Sequence, residues 1–117
     1  MHNMHIQVST DSNIQGGADL ARQIESTLDS SLGRFENRLT RIEVYLSDQN
    51  ADKTLGDDKK CVLEARPRGM NAVAVSHHAR SVDAAVSGAA GKMVRVLGDA
   101  FGRLDDTKGG TPARGRD

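Results

Sequence analysis

Hydrophobic residues along this chain recur with two different periods, and the switches between them lay out its elements. His5-Ile6-Gln7-Val8-Ser9 alternates with a period of two, which predicts a strand with Ile6 and Val8 on one face. Residues 10–17 are rich in Asp, Ser, Asn and Gly and predict a loop. Leu20, Ile24, Leu28, Leu32 and Phe35 then return at steps of four, four, four and three, one face of a helix of about five turns whose last turn Gly33 weakens. Arg41-Ile42-Glu43-Val44-Tyr45-Leu46-Ser47 is the cleanest strand, with Ile42, Val44 and Leu46 inward and Arg41, Glu43 and Tyr45 outward. A polar loop over 48–58 follows. Lys60 to Arg66 alternates again, with Cys61, Leu63 and Ala65 inward, and Pro67-Arg68-Gly69 is a turn signal. Ala72 to His77 predicts a fourth strand, so the last three strands form an antiparallel meander.

A second helix is predicted to start at Ser81, a good N-cap, with Asp83 in the first turn favouring the helix dipole. Val82, Val86, Ala89, Met93, Leu97, Ala100 and Leu104 form its expected buried stripe. From Asp105 onward Lys, Gly, Thr, Pro and Arg dominate, and residues 105–117 are expected to be a disordered tail. The predicted order is β-α-β-β-β-α, an α+β fold with two helices on one face of a four-stranded sheet, in a single domain over residues 1–104.

Composition narrows the chemistry. Sixteen basic residues balance sixteen acidic ones among 117 residues, so no strongly basic binder is indicated. The balance is uneven: the first fifty residues carry 4 basic and 7 acidic side chains, the remainder 12 and 9. Cys61 is alone, which excludes an intrachain disulfide and fits a reducing cytoplasm. Neither a secretory leader nor a membrane span is read from the sequence. His77 and His78 are adjacent, so on a strand they face opposite sides and cannot chelate one ion together. With no completing Cys or carboxylate spacing, neither a metal nor any other cofactor is expected. Cys61 points inward as a small core residue, and no acid–base pair suggests an enzyme or a small-molecule substrate. Only Phe35, Tyr45 and Phe101 are aromatic, too few to stack single-stranded bases.

One helical face holds candidate binding chemistry. At about 100° per residue, Lys92, Arg95 and Arg103 fall within roughly 80° of one another. Such a face tracks phosphates by neutralising them and releasing counterions. Asp99 and Asp106 share the sector, however, and a solvated ladder from Arg95 to Asp99 to Arg103 is the plainer reading of the spacing. Gly88 and Gly91 lie within the same helix and are expected to let the first helix pack closely.

Three segments carry a family resemblance: Leu32-Gly33-Arg34-Phe35-Glu36-Asn37-Arg38-Leu39, Ile42-Glu43-Val44-Tyr45-Leu46, and Asp83 through Leu97. The last has the form A-[AV]-x-G-x-x-x-K-x-x-R-x-L. Over about residues 4–104 the chain resembles the ribosome hibernation-promoting factor and ribosome-associated inhibitor family, once called sigma-factor modulation proteins. The stretches Asp57 to Arg66 and Ala74 to His77 are similar to a proteobacterial branch of it. The resemblance implies a fold close to the double-stranded-RNA-binding domain. It also implies binding to the small ribosomal subunit and its RNA, where members occupy the decoding groove and silence translation under stress. It implies a short form without the family's dimerising domain. Carried onto this chain, the family's RNA-contacting cations are Lys92, Arg95 and Arg103. Arg22, Arg38, Arg41, Lys59, Lys60 and Arg66 are secondary candidates. The chain departs from the family's lysine-rich last helix at Asp99, Gly102 and Asp105. An alternative reading is a protein-interaction module using the open sheet face around Glu43, Tyr45, Val62 and Glu64.

Overall fold

A computed structural model of the chain describes residues 5–11, 14, 16–48 and 59–109. Its elements follow in the order β1 (His5–Thr10), α1 (Gly17–Leu32), β2 (Leu39–Asp48), β3 (Lys59–Pro67), β4 (Val73–Ala79) and α2 (Val82–Gly109). The four strands form one mixed sheet in the order β1-β2-β3-β4. β1 runs parallel to β2, with Val8 opposite Val44, because α1 carries the chain back across the sheet between them. β2, β3 and β4 form the antiparallel meander, with Val44 opposite Leu63 and Leu63 opposite Val75. The β3–β4 connection turns at Pro67-Arg68-Gly69-Met70, where the Met70 amide donates to the Pro67 carbonyl and Gly69 sits at φ 73°, the left-handed third position of a type II turn.

The inward set of each strand matches its alternation. Ile42, Val44 and Leu46 of β2 and Cys61, Leu63 and Ala65 of β3 are buried in one core. Ile24, Leu28 and Leu32 of α1 and Val86, Ala89, Met93 and Leu97 of α2 complete it, so both helices cover the same sheet face. Fully buried Leu or Met side chains such as Leu28, Leu63 and Met93 each contribute about 1.5–3 kcal/mol.

Four details differ from the sequence reading. Phe35 is buried as expected, but α1 stops at Leu32 and residues Gly33–Arg38 form a 3-10 segment. Tightening from 3.6 to three residues per turn still brings Phe35 onto the core side. β2 begins at Leu39, two residues early; a register shift between Leu39 and Arg41 lets Leu39 and Ile42 both point inward despite their odd spacing. The buried stripe of α2 also takes in Ala85, Ala90 and Phe101, while Val82, Ala100 and Leu104 are only half-buried. Finally, α2 continues past Asp105 to Gly109, so the expected tail begins inside the helix, and residues 110–117 lie outside the described residues; of the loop expected over 48–58, Asp48 closes β2 and residues 49–58 lie outside the described residues.

Candidate nucleic-acid interface

α2 is the element that presents candidate binding groups, and its seating follows from its smallest residues. Gly88 lies against β4: a Cβ there would overlap the His77 imidazole. One turn on, Lys92 reaches the same strand, its Nζ donating to the Ser76 carbonyl at 2.8 Å. Residues four apart share a helical face, so Gly88 and Lys92 define a stripe of α2 that runs along β4. Arg95 continues that stripe and is exposed. The expectation that Gly88 and Gly91 admit the first helix is therefore corrected. Gly88 admits a strand side chain, and a Cβ on Gly91 would meet nothing within 4 Å. Ser81 caps the helix, its Oγ accepting from the Ala84 amide at 3.1 Å.

The C-terminal half of α2 is held differently. Twenty-eight residues span about 42 Å of helix, whereas seven-residue β4 spans about 23 Å. The helix therefore outruns the strand it lies along. Its far end is fastened to the 3-10 segment by the Phe35 and Phe101 rings, 5.5 Å apart. Arg38 closes this clasp: its guanidinium lies 4.0 Å from the Phe101 ring centre, and both its terminal nitrogens donate to the Asp105 carboxylate at 3.1 Å.

The nine predicted contact residues thus fall into distinct environments. Arg22 pairs with Asp19 one turn earlier on α1, and Arg38 pairs with Asp105. Arg41 Nε lies 2.7 Å from Glu43 Oε2, a close ion contact without hydrogen-bond alignment, while its Nη2 donates to Gln7 at 2.7 Å. Lys59 lies 3.4 Å from Asp48, and Arg66 lies 3.7 Å from Glu64. Lys59 and Lys60 open β3. Lys92 and Arg95 have no carboxylate partner among the described residues, and Lys60 is half-buried on the open sheet face. Arg103 is exposed near the clasp and is engaged within the chain. The expected Arg95–Asp99 ion pair does not form among the described residues, which leaves Arg95 open to an external anion.

The open sheet face is polar and internally satisfied. Tyr45, 43% exposed, donates its hydroxyl to Glu43. That bond holds the Glu43 carboxyl below its ordinary value, helped by Arg41 and Arg66, and raises the Tyr45 hydroxyl above its own. The adjacent histidines separate as expected: His77 is half-buried under α2 and His78 is exposed on the opposite side. Burial pushes the Cys61 thiol up to about 12, so at neutral pH it is a protonated core group. Among the described residues, no cluster of three or more His, Cys, Asp or Glu is placed to hold a metal ion. Among them, too, no helix is long and apolar enough to cross a membrane.

A parallel βαβ unit extended by an antiparallel meander and closed by a long helix, with Lys92 and Arg95 lacking a carboxylate partner among the described residues, describes a small α+β domain with a cationic helix face. The family model for "Sigma 54 modulation protein / S30EA ribosomal protein" matches residues 6–104. The chain belongs to this family of ribosome-associated factors. No curated protein sequence matches it. Solved structures share the fold, among them the following two. The N-terminal domain of Thermus thermophilus Protein Y is 17% identical with a TM-score of 0.61, over 81% of this chain and 94% of that one. A ribosomal subunit interface protein from Coxiella burnetii is 14% identical with a TM-score of 0.62, over 85% of this chain and 99% of that one.

Proposed function

We propose that this protein binds the RNA of the small ribosomal subunit through α2 and, by occupying the space of messenger and transfer RNA, silences translation. One observation carries the reading: on a chain of zero net charge, Lys92 and Arg95 stand on one stripe of α2 without a carboxylate partner among the described residues. Cations already neutralised within the fold gain little from a phosphate, whereas bare ones release its counterions on contact. Recognition is by shape and backbone charge, since the single tyrosine is tied to Glu43 and the phenylalanines are buried. The action is steric, so no catalytic group is required.

The test is co-sedimentation of the purified protein with small ribosomal subunits across a salt series. Wild-type protein should pellet with the subunits, less so as salt rises. Lys92→Glu with Arg95→Glu should stay in the supernatant while keeping its circular dichroism and melting temperature. A double variant that pellets like wild type sinks this surface as the contact.

The neutralised network around Glu43, Tyr45 and Glu64 favours a second, lesser reading for the open face. Paired charges and an exposed ring suit a protein partner better than a phosphate backbone. Binding there would survive salt that abolishes RNA contact.

A further inference from the structure

The chain between Glu64 and Asp83 contains no acidic residue. This stretch forms the end of β3, the turn and the whole of β4, and β4 is the edge strand beside which α2 lies. Lys60 of β3 and His78 of β4 are directly opposed across the antiparallel pair. Both point away from the core, because Cys61, His77 and Ala79 take the inward positions. Arg80 follows two residues after His78 and is exposed. None of Lys60, His78 and Arg80 has a carboxylate partner among the described residues, unlike Arg41 and Arg66 further along the same face.

These groups are continuous with the α2 stripe. Lys92 is fastened to the Ser76 carbonyl, and His78 stands two residues further along that strand, about 7 Å away. Passing along β4, the basic groups without a carboxylate partner among the described residues are Arg95 and Lys92 on the helix side, then His78 with Lys60 on the open side, then Arg80 at the strand end. A single exposed edge separates the two sides.

Resting on the reading of α2 as an RNA contact, we infer that the RNA-binding surface does not end at the helix. It wraps around the β4 edge onto the open face of the sheet, where Lys60, His78 and Arg80 form a second phosphate-contact cluster. The occupant is the sugar–phosphate backbone of a folded RNA: the cluster offers the cationic donors of Lys60 and Arg80 with the His78 imidazole between them, and no Phe, Tyr or Trp for a base to stack upon. Of the nine cations singled out by sequence, only Lys60 belongs to this cluster. His78 and Arg80 enter it through register alone.

The experiment compares wild type, Lys60→Gln with Arg80→Gln, and Lys92→Gln with Arg95→Gln, each titrated against purified small ribosomal subunits over a salt series. Circular dichroism confirms the fold of every variant. The inference expects Lys60→Gln with Arg80→Gln to weaken binding about ten-fold and to flatten the log–log salt slope by about one to two, near one for each phosphate no longer neutralised. Wild-type affinity and slope in that variant, with Lys92→Gln with Arg95→Gln weakened, would overturn the inference and leave the α2 contact standing. Weakened binding with an unchanged slope would also overturn it, since the cluster would then meet an uncharged or protein surface. Wild type failing to bind at low salt would remove both readings together.

Discussion

Two populations of cations share this small surface and differ only in what lies beside them. Arg22, Arg38, Arg41, Lys59 and Arg66 each have an aspartate or glutamate within the fold. Lys92 and Arg95 on α2, with Lys60 and Arg80 at the far end of the meander, have none among the described residues. A net charge of zero therefore hides a sorted surface. Net charge is a sum over the whole molecule, whereas a phosphate responds to the potential within about one Debye length. A neutral chain can still present a cationic edge if its acids are paired elsewhere.

The largest expected effect tests the bare set. Neutralising Lys92 and Arg95 together by glutamine should reduce affinity for small ribosomal subunits by about one hundred-fold near 0.1 M salt, read by equilibrium titration. Neutralising the paired set at Arg22 and Arg41 should change it by less than about five-fold, because each loses a phosphate attraction its own carboxylate already offsets. Equal losses in the two variants would erase the distinction between the populations.

Arg38 sharpens the comparison from the stability side. It packs on Phe101 and chelates Asp105, so Arg38→Ala should lower unfolding free energy by about 1–2 kcal/mol, read from the urea midpoint. Both partners are substantially exposed, so most of that loss comes from the stacked guanidinium and little from the ion pair. Arg38→Lys should not restore it, since an ammonium neither stacks nor binds bidentately. Full rescue by lysine would make the clasp a charge contact only.

The smallest effects concern how α2 is seated against β4. Gly91→Ala should stabilise by about 0.5–1 kcal/mol, the ordinary gain of alanine over glycine in an open helix position. Gly88→Ala should instead destabilise by about 1 kcal/mol, because the new methyl displaces the His77 ring and outweighs the same propensity gain. Subunit binding should weaken in Gly88→Ala beyond its effect on stability, since a shifted helix carries Lys92 away from Ser76. Thermal melts of the two variants, which should move in opposite directions, check the seating.

Much of the fold is legible in the sequence because it follows from period. Alternation at Ile42, Val44 and Leu46, and steps of four from Leu20 to Leu32, specify strand and helix by the geometry of a single element. The elements that escape are those whose spacing is set by a neighbour. The bulge that turns Leu39 inward, and the helix stripe that swings to Phe101, answer to the partners they pack against. The candidate site divides the same way. Lys92 and Arg95 are visible by helical spacing. Arg38, a secondary candidate from the family resemblance, is engaged by Asp105, 67 residues away, a contact no local spacing reveals. His78 and Arg80 carry no local motif; only the absence of acids between Glu64 and Asp83 hints at them.

By itself, then, the order of residues determined the four strands, the two helices and the inward face of the strands and of α1, because local periodicity and side-chain volume act within a few residues. Only the tertiary structure decided that Arg38 is engaged by Asp105, 67 residues away, that Lys59 meets Asp48 across the β2–β3 pair, and that Arg95 has no Asp99 partner among the described residues, whereas Arg22, Arg41 and Arg66 pair with acids two or three residues along their own elements. A Coulomb interaction depends on distance in space and is insensitive to how far apart its partners lie in sequence.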